Sequence, residues 1–387
     1  GAVAGPVIGG YLVTHYAWEW VFLINLPVGV AALIAAYRII PESTDPHATR
    51  RLDYAGLVLS GVGILAFVYG TIEGNVRGWD DPLIVGSIIG GLILIGIFIW
   101  WETKAPDPMM KLELFKIRNF TIGNFVAMAV SFGMLGIFFP MTIFLQGVLG
   151  YTAIKAGLTM APMSIIMLFA APVSGRLSDR IGTRWILFGG LLTMVLGIWY
   201  MIYLTQLDMT PWTLMPALLI GGLGMGFTFS PMTAATMRLV PPAISGSASG
   251  ILNTMRNIGQ VLGIAVLGSV LQHQVGVHVN NRLAEQTIPA DQKAHVVTLA
   301  QQSQFEMIRD AVDANLYGPV ISAVQAGFRD SIHNTFLTGS LICLVAAAAA
   351  WFLRDPVGAV VPVTDPKRQP AEFNLQPSPA GGESLGS

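Results

Sequence analysis

The sequence predicts an all-α polytopic membrane protein, and three observations carry that prediction. Only 11% of the 387 residues are charged while 53% are hydrophobic, whereas a soluble domain is nearer a quarter charged. The apolar residues come in continuous runs, each close to the roughly 20 residues that cross a bilayer as a helix. Between the runs, Lys and Arg collect in alternate loops. Mean hydropathy is +0.63. So few charges cannot cover a water-facing surface, which excludes a soluble multidomain enzyme and a disordered chain. A net charge of −1 offers no basic field for nucleic acid. Cys343 is the lone cysteine, so an internal disulfide and a Cys-based metal cluster are excluded. Lipid leaves no partner for an open strand edge, and the runs lack the ~10-residue alternating strands of a barrel.

Ten runs follow in order. The first, about 1–14, starts at Gly1 in the middle of an apolar pattern, GAVAGPVIGGYLV. No charged region precedes it, so it is not a signal peptide. It reads as a partial span, and the chain as a fragment lacking its N-terminal part. Gly1, Gly5, Gly9 and Gly10 give one face a side-chain-free stripe for close helix approach, and Pro6 kinks the helix. The second run, 20–38, has Trp18 and Trp20 at its outer interface. It also holds Asn25, whose amide needs partners inside a span, and Pro27. The third, 54–72, opens after Asp53, a helix N-cap. It closes on Glu73 and Arg77, which read as a solvated loop.

The runs at 83–101, 119–145, 154–174, 185–204 and 212–236 come next. The sequence GRLSDRIGTRW, 175–185, falls in a tight turn between two of them. Gly175 and Gly182 permit sharp backbone turns there. Asp179 sits among Arg176, Arg180 and Arg184, where it can pair with an Arg or cap the next helix. The glycines of GGLGMGF, 221–227, read as close helix packing. The Met-rich spans read as adaptable packing, which would also suit a promiscuous pocket. The ninth run, 243–271, places Asn253, Arg256, Asn257 and Gln260 on an otherwise apolar helix. An ionisable residue inside a membrane is a functional candidate, with snorkelling to the interface as the alternative. Residues 272–332 carry ten charges and read as a small outer module. Its stretches QKAHVVTLAQQ and FEMIRDAVDANL have amphipathic helical spacing. The last run is 333–353, and the Pro-, Gly- and Ser-rich tail 354–387 reads as disordered.

Loop charges orient these spans. One set of short loops holds Arg38, Arg50, Arg51, Lys104, Lys111, Lys116, Arg118, Arg176, Arg180, Arg184 and Arg238; the other holds Arg77 and Lys155. The first set is therefore cytoplasmic, the C-terminal tail with it, and segment 272–332 is outside. No HExxH, Walker A loop, Rossmann fingerprint or Ser–His pair occurs, so neither an intramembrane protease nor a transporter with its own ATPase has catalytic residues here.

Three motifs carry a resemblance. They are GxxxGPxxGG with the following WEWVFLINLPVG, then G-x-L-x-D-R-x-G-x-R at 175–184, and S-G-x-x-N-T-x-R-x-x-G at 249–259. In this order the chain resembles, over residues 1 to about 353, the fourteen-span drug:proton antiporters of the major facilitator superfamily, the EmrB/QacA type. The resemblance implies that 1–38 ends an N-terminal bundle as helices five and six. It implies that 39–118 is a linker carrying two extra helices, and 119–353 the C-terminal six-helix bundle. It implies that Gly1, Gly5, Pro6, Gly9 and Gly10 form the antiporter motif, and that Gly175, Asp179, Arg180, Gly182 and Arg184 form a cytoplasmic latch. Asn25, Asn253, Arg256, Asn257 and Gln260 would line a transport path. The implied activity is export of amphipathic organic compounds by proton antiport across the cell membrane, with the proton gradient as energy source and no cofactor or metal. Implied partners are the bilayer, small organic substrates and protons, with a periplasmic adaptor and outer-membrane channel in a double-membrane organism. A dedicated carrier of one metabolite, and a non-transporting sensor using 272–332, stay open as other readings.

Overall fold

The computed structural model describes residues 4–39, 53–106, 108–284, 286 and 288–354. Gly1, Arg50, Arg51 and the tail from 355 onward lie outside the described residues. Within them the structure is helical and without strands, and nine segments are long and apolar enough to cross a membrane.

The first helix, α1, covers Ala4–His15 among the described residues. The run expected at 20–38 is broken into α2 (Trp20–Leu23) and α3 (Asn25–Ile39). The break at Ile24 has a local cause: Pro27 has no N–H to give the Leu23 carbonyl. Asn25 Nδ2 donates to the Val21 carbonyl at 3.2 Å, so the amide finds its partner on its own helix. No residue of α3 is buried.

A hairpin of two spans comes next, α4 (Tyr54–Arg77) and α5 (Pro82–Glu102). Asp53 caps α4 as its sequence position predicts, accepting from the Gly56 amide at 2.9 Å. Asp81 caps α5 in the same way, and Pro82 occupies the first helical turn. The hairpin closes where Gly91 meets Phe67, and α4 leans on the later helix Ser245–Ala284.

Six long helices make the main bundle: α6 (Arg118–Ile143), α7 (Ala153–Ile181), α8 (Thr183–Leu204), α9 (Pro211–Met237), α10 (Ser245–Ala284) and α12 (Tyr317–Ala350). Lipid supplies no hydrophobic drive between spans, so their association depends on close backbone approach. Small residues provide it. A Cβ on Gly197 would stand 2.6 Å from the Gly221 amide, which brings α8 onto α9. Gly226 meets Ala170, joining α9 to α7; Gly259 and Gly263 meet the carbonyls of Met128 and Phe132, joining α10 to α6. The packing role expected for the glycines of 221–227 is thus visible. At one end Asn119 clips α12 to α6: its Nδ2 donates to the Arg354 carbonyl at 2.6 Å and its Oδ1 accepts from the Arg354 amide at 3.1 Å.

The stretch 272–332 differs from expectation. Segment 272–332 is not a separate module; it extends the bundle. Helix α10 continues to Ala284 and α12 already begins at Tyr317. The reason is a seam at spacing four, with Val275, Val279 and Leu283 on α10 and Val320, Val324 and Phe328 on α12 all buried. Polar residues on the other faces dilute the hydropathy without interrupting the helix. Of the two amphipathic stretches, the first forms α11 (Ala290–Gln301), while the second forms only a short 3₁₀ turn at Phe305–Arg309. Buried Phe305 packs edge-on against Phe328 at 5.4 Å between centroids, and Phe328 stacks on Phe144 at 6.5 Å. Phe144 opens a widened turn at the end of α6, where the Leu149 amide donates to the Phe144 carbonyl, five residues back, at 3.0 Å. Arg282 Nη2 and Asp330 Oδ2, 2.5 Å apart, tie the two extensions together.

Candidate functional site

The polar residues of α10 are the strongest candidate, because a span tolerates a guanidinium only where something answers it. Three turns into α10, Arg256 is half-buried and turned toward α9. Its Nη2 donates to Thr233 Oγ1 at 2.6 Å, and the guanidinium lies 5.8 Å from the Phe229 ring centre. The Thr233 hydroxyl in turn donates to the Phe229 carbonyl at 3.0 Å. Arg256 Nε is buried and has no hydrogen-bond partner. None of the ion pairs among the described residues includes Arg256. The site is therefore an intramembrane cation with one neutral acceptor, an aromatic face and a donor to spare. It can attract an anion, a carbonyl or a π-rich group. Gln260, one turn along, is half-buried, while Asn253 and Asn257 are exposed on α10. Thr233 and Phe229 were missed by sequence reading. Their signal is faint, a Thr one turn after a Phe in an apolar helix.

The turn 175–185 is tighter than expected. Gly175 is not at a bend; α7 runs through it to Ile181, and a Cβ there would stand 3.0 Å from Ser230 Oγ on α9. The reversal is made by Gly182 alone, at φ +103°, before α8 begins at Thr183. Buried Ser178 donates to Thr183 Oγ1 at 2.9 Å and closes the turn. Asp179 does not cap α8, whose N-cap is Gly182. Asp179 and Arg180 are exposed, and the ion pairs among the described residues include neither. Arg184 instead lies over Trp351 at 4.2 Å and Trp185 at 5.3 Å from their ring centres, reaching the end of α12.

Of the N-terminal glycine stripe, Gly1 is outside the described residues, and Cβ positions on Gly5 and Gly9 meet nothing within 4 Å. At Gly10 a Cβ would stand 2.8 Å from the Ala153 carbonyl, so α1 touches the start of α7 at that residue. Pro6 lies within α1. Asn25 is exposed on α3 and bonds the Val21 carbonyl, and it is not among the residues that Arg256 touches. Inside the main bundle, Met134, Met160, Met163, Met194, Met201 and Met225 line an apolar cavity between α6, α7, α8 and α9.

Long apolar helices packed through glycine, with a polar constellation held inside them, define a polytopic membrane protein of transporter build. Comparison with known proteins narrows this. The model of the Major Facilitator Superfamily matches residues 1–264, and the chain belongs to that superfamily, a family of transporters and not of enzymes. It is similar to an uncharacterized MFS-type transporter of Mycobacterium tuberculosis, 29% identical over 93% of this chain and 58% of the relative. It is also similar to the multidrug resistance protein Stp of that organism, 30% identical over 92% of this chain and 67% of the relative. The tetracenomycin C resistance and export protein of Streptomyces glaucescens is 29% identical over 98% of this chain and 69% of the relative. The chain thus spans between about three-fifths and seven-tenths of the length of these relatives.

Proposed function

We propose that this chain belongs to a secondary transporter of the fourteen-span type that exports amphipathic organic compounds in exchange for protons. The observation that carries the reading is Arg256, a cation kept inside the bundle with an unfilled donor beside Phe229. The names of the relatives, multidrug resistance and antibiotic export, support the substrate class. The α4–α5 hairpin, standing between α3 and the six-helix bundle, supports the fourteen-span type. Transport proceeds by rocking of two helical halves about a central path. Residues 1–38 belong to one half, 39–118 to the linker and 119–353 to the other. Gly10 makes the contact with α7, and Gly5, Pro6 and Gly9, with Gly1, provide the close interface in the alternate conformation. Asp179, Arg180 and Arg184 latch the basic-loop side in the alternate conformation. Asn253, Asn257 and Gln260 line the path with Arg256, and Asn25 joins it only when the two halves close on one another. The protein resides in the cell membrane with its tail in the cytoplasm. The proton gradient drives it without a cofactor, and an adaptor with an outer-membrane channel completes the route in a double-membrane cell.

The test uses everted membrane vesicles from cells expressing the complete gene. Dye should accumulate only while a proton gradient is maintained, and Arg256→Ala should lower the rate at least about tenfold, the loss of ~1.4 kcal/mol or more at the rate-limiting step. Transport that persists with the gradient collapsed would overturn proton coupling. Wild-type rates in Arg256→Ala would overturn the role of that residue. A second reading, a carrier dedicated to one antibiotic, is favoured by the relative named for tetracenomycin C alone; a single-compound substrate profile would select it.

A further inference from the structure

The foot of the α4–α5 hairpin holds two carboxylates that the export reading does not use. Asp53 caps α4, and both of its oxygens accept from Trp101 Nε1 at 3.0 Å. Glu102, the last residue of α5, is only 4% exposed. Its Oε2 accepts from the Met110 amide at 3.1 Å. Its Oε1 is buried and has no hydrogen-bond partner. Both carboxylates face one small gap: a Cβ on Gly56 would stand 3.1 Å from Glu102 Oε1 and would collide with Asp53 Oδ2. The groups that face Glu102 are the Asp53 carboxylate from the α4 side and the backbone amides of Met110 and Met109 from the 108–118 segment; the Trp101 indole is taken up by Asp53. None of the ion pairs among the described residues brings a cation to either carboxylate.

A buried anionic oxygen without a donor is costly, and a second carboxylate beside it makes simultaneous ionisation costlier. One proton relieves both. Placed on Glu102 Oε1, it turns the unpartnered acceptor into a donor aimed at Asp53. We propose that Glu102 carries one exchangeable proton, taken from water on the basic-loop side, with the Asp53 carboxylate as its neighbour across the gap, and that this is a protonation site separate from Arg256. The site is mechanically connected. Glu102 holds Met110, the Met109 carbonyl accepts from Ser247 Oγ at 2.9 Å, and the Lys111 amide donates to the same hydroxyl at 3.5 Å. Ser247 lies in the first turn of α10, the helix that carries Arg256. When the proton leaves, the Glu102 carboxylate becomes the stronger acceptor and grips the Met110 amide more tightly, which fastens the 109–111 segment and, through Ser247, the start of α10 to the foot of the hairpin.

The experiment is infrared difference spectroscopy on the whole protein in lipid nanodiscs, titrated with pH. A carboxylic-acid C=O band should be present at neutral pH and missing in Glu102→Gln. In Asp53→Asn, which keeps a competent cap, proton binding should weaken about tenfold, a midpoint about one pH unit lower. Hydrogen exchange over 109–111 in the wild-type protein, corrected for intrinsic rate, should slow several-fold as the band disappears; this readout needs no variant. A band unchanged in Glu102→Gln, or no band at neutral pH, overturns the proposal. Loss of the band on adding Na⁺ or Ca²⁺ at fixed pH also overturns it, in favour of a metal-cation site. None of these measurements reads transport, so the proposal and the export reading fail separately.

Discussion

Arg256 shows what a single residue inside the bundle demands. Its hydrogen bond to Thr233 is one of the few specific contacts between α10 and α9. Thr233→Val keeps the volume and removes the acceptor. That change should destabilise the detergent-solubilised protein by about 1–3 kcal/mol, measured as a lower thermal midpoint, while Thr233→Ser should restore it. Gly182 makes a different demand. With φ +103° and ψ +142° it occupies backbone territory that side chains avoid, so Gly182→Ala should cost ~1–3 kcal/mol; a melting curve equal to wild type would contradict this. The two residues also differ in legibility. Gly182 could be read from its place between a basic cluster and a new apolar run. Thr233 could not, because one hydroxyl in an apolar helix is as often bonded to its own backbone, as Thr228 and Thr236 are to Gly224 and Met232.

At the scale of elements, hydropathy located the spans but not their true ends. It stopped α10 near 271 and started α12 at 333, because His273, His278 and Arg282 on one side, and Arg329 and Asp330 on the other, depress the average. The seam of Val275, Val279 and Leu283 against Val320, Val324 and Phe328 keeps both helices intact beyond those points. Spacing four was present in the sequence; what it packed against was not. Phe305 is the keystone of the region beyond those points, held against Phe328 and the backbone of Gly147. Phe305→Ala should cost ~3–5 kcal/mol locally. The expected sign is faster hydrogen exchange in 290–309 with the glycine-packed spans unaffected. Uniform exchange across the protein would show that this region is not a distinct unit. The break at Ile24 was hidden for the opposite reason: Pro27 and Asn25 were visible, yet whether a proline bends or interrupts a helix depends on neighbours that sequence does not specify.

For the whole molecule, composition alone decided the class, since a helical bundle in lipid is the one arrangement that a chain this apolar and this continuous in its runs can adopt. How the helices pair was less accessible, because small residues are common in spans and only some of them, such as Gly259 and Gly263, meet a neighbour's backbone. The length of α10 has a further consequence. Its 40 residues make a rod of about 60 Å, at ~1.5 Å per residue, roughly twice the thickness of the hydrocarbon layer. A tilt of ~10° about its base would shift Arg256 by only about 3 Å but carry the far tip through about 10 Å. The Arg282–Asp330 pair would drag the tip of α12 along the same arc. The overhang is thus a built-in pointer that magnifies small rotations in the lipid. Spin labels at Asn281 and at a static position on α5 would read that motion as a change in inter-label distance that labels placed near the pivot would be too close to resolve.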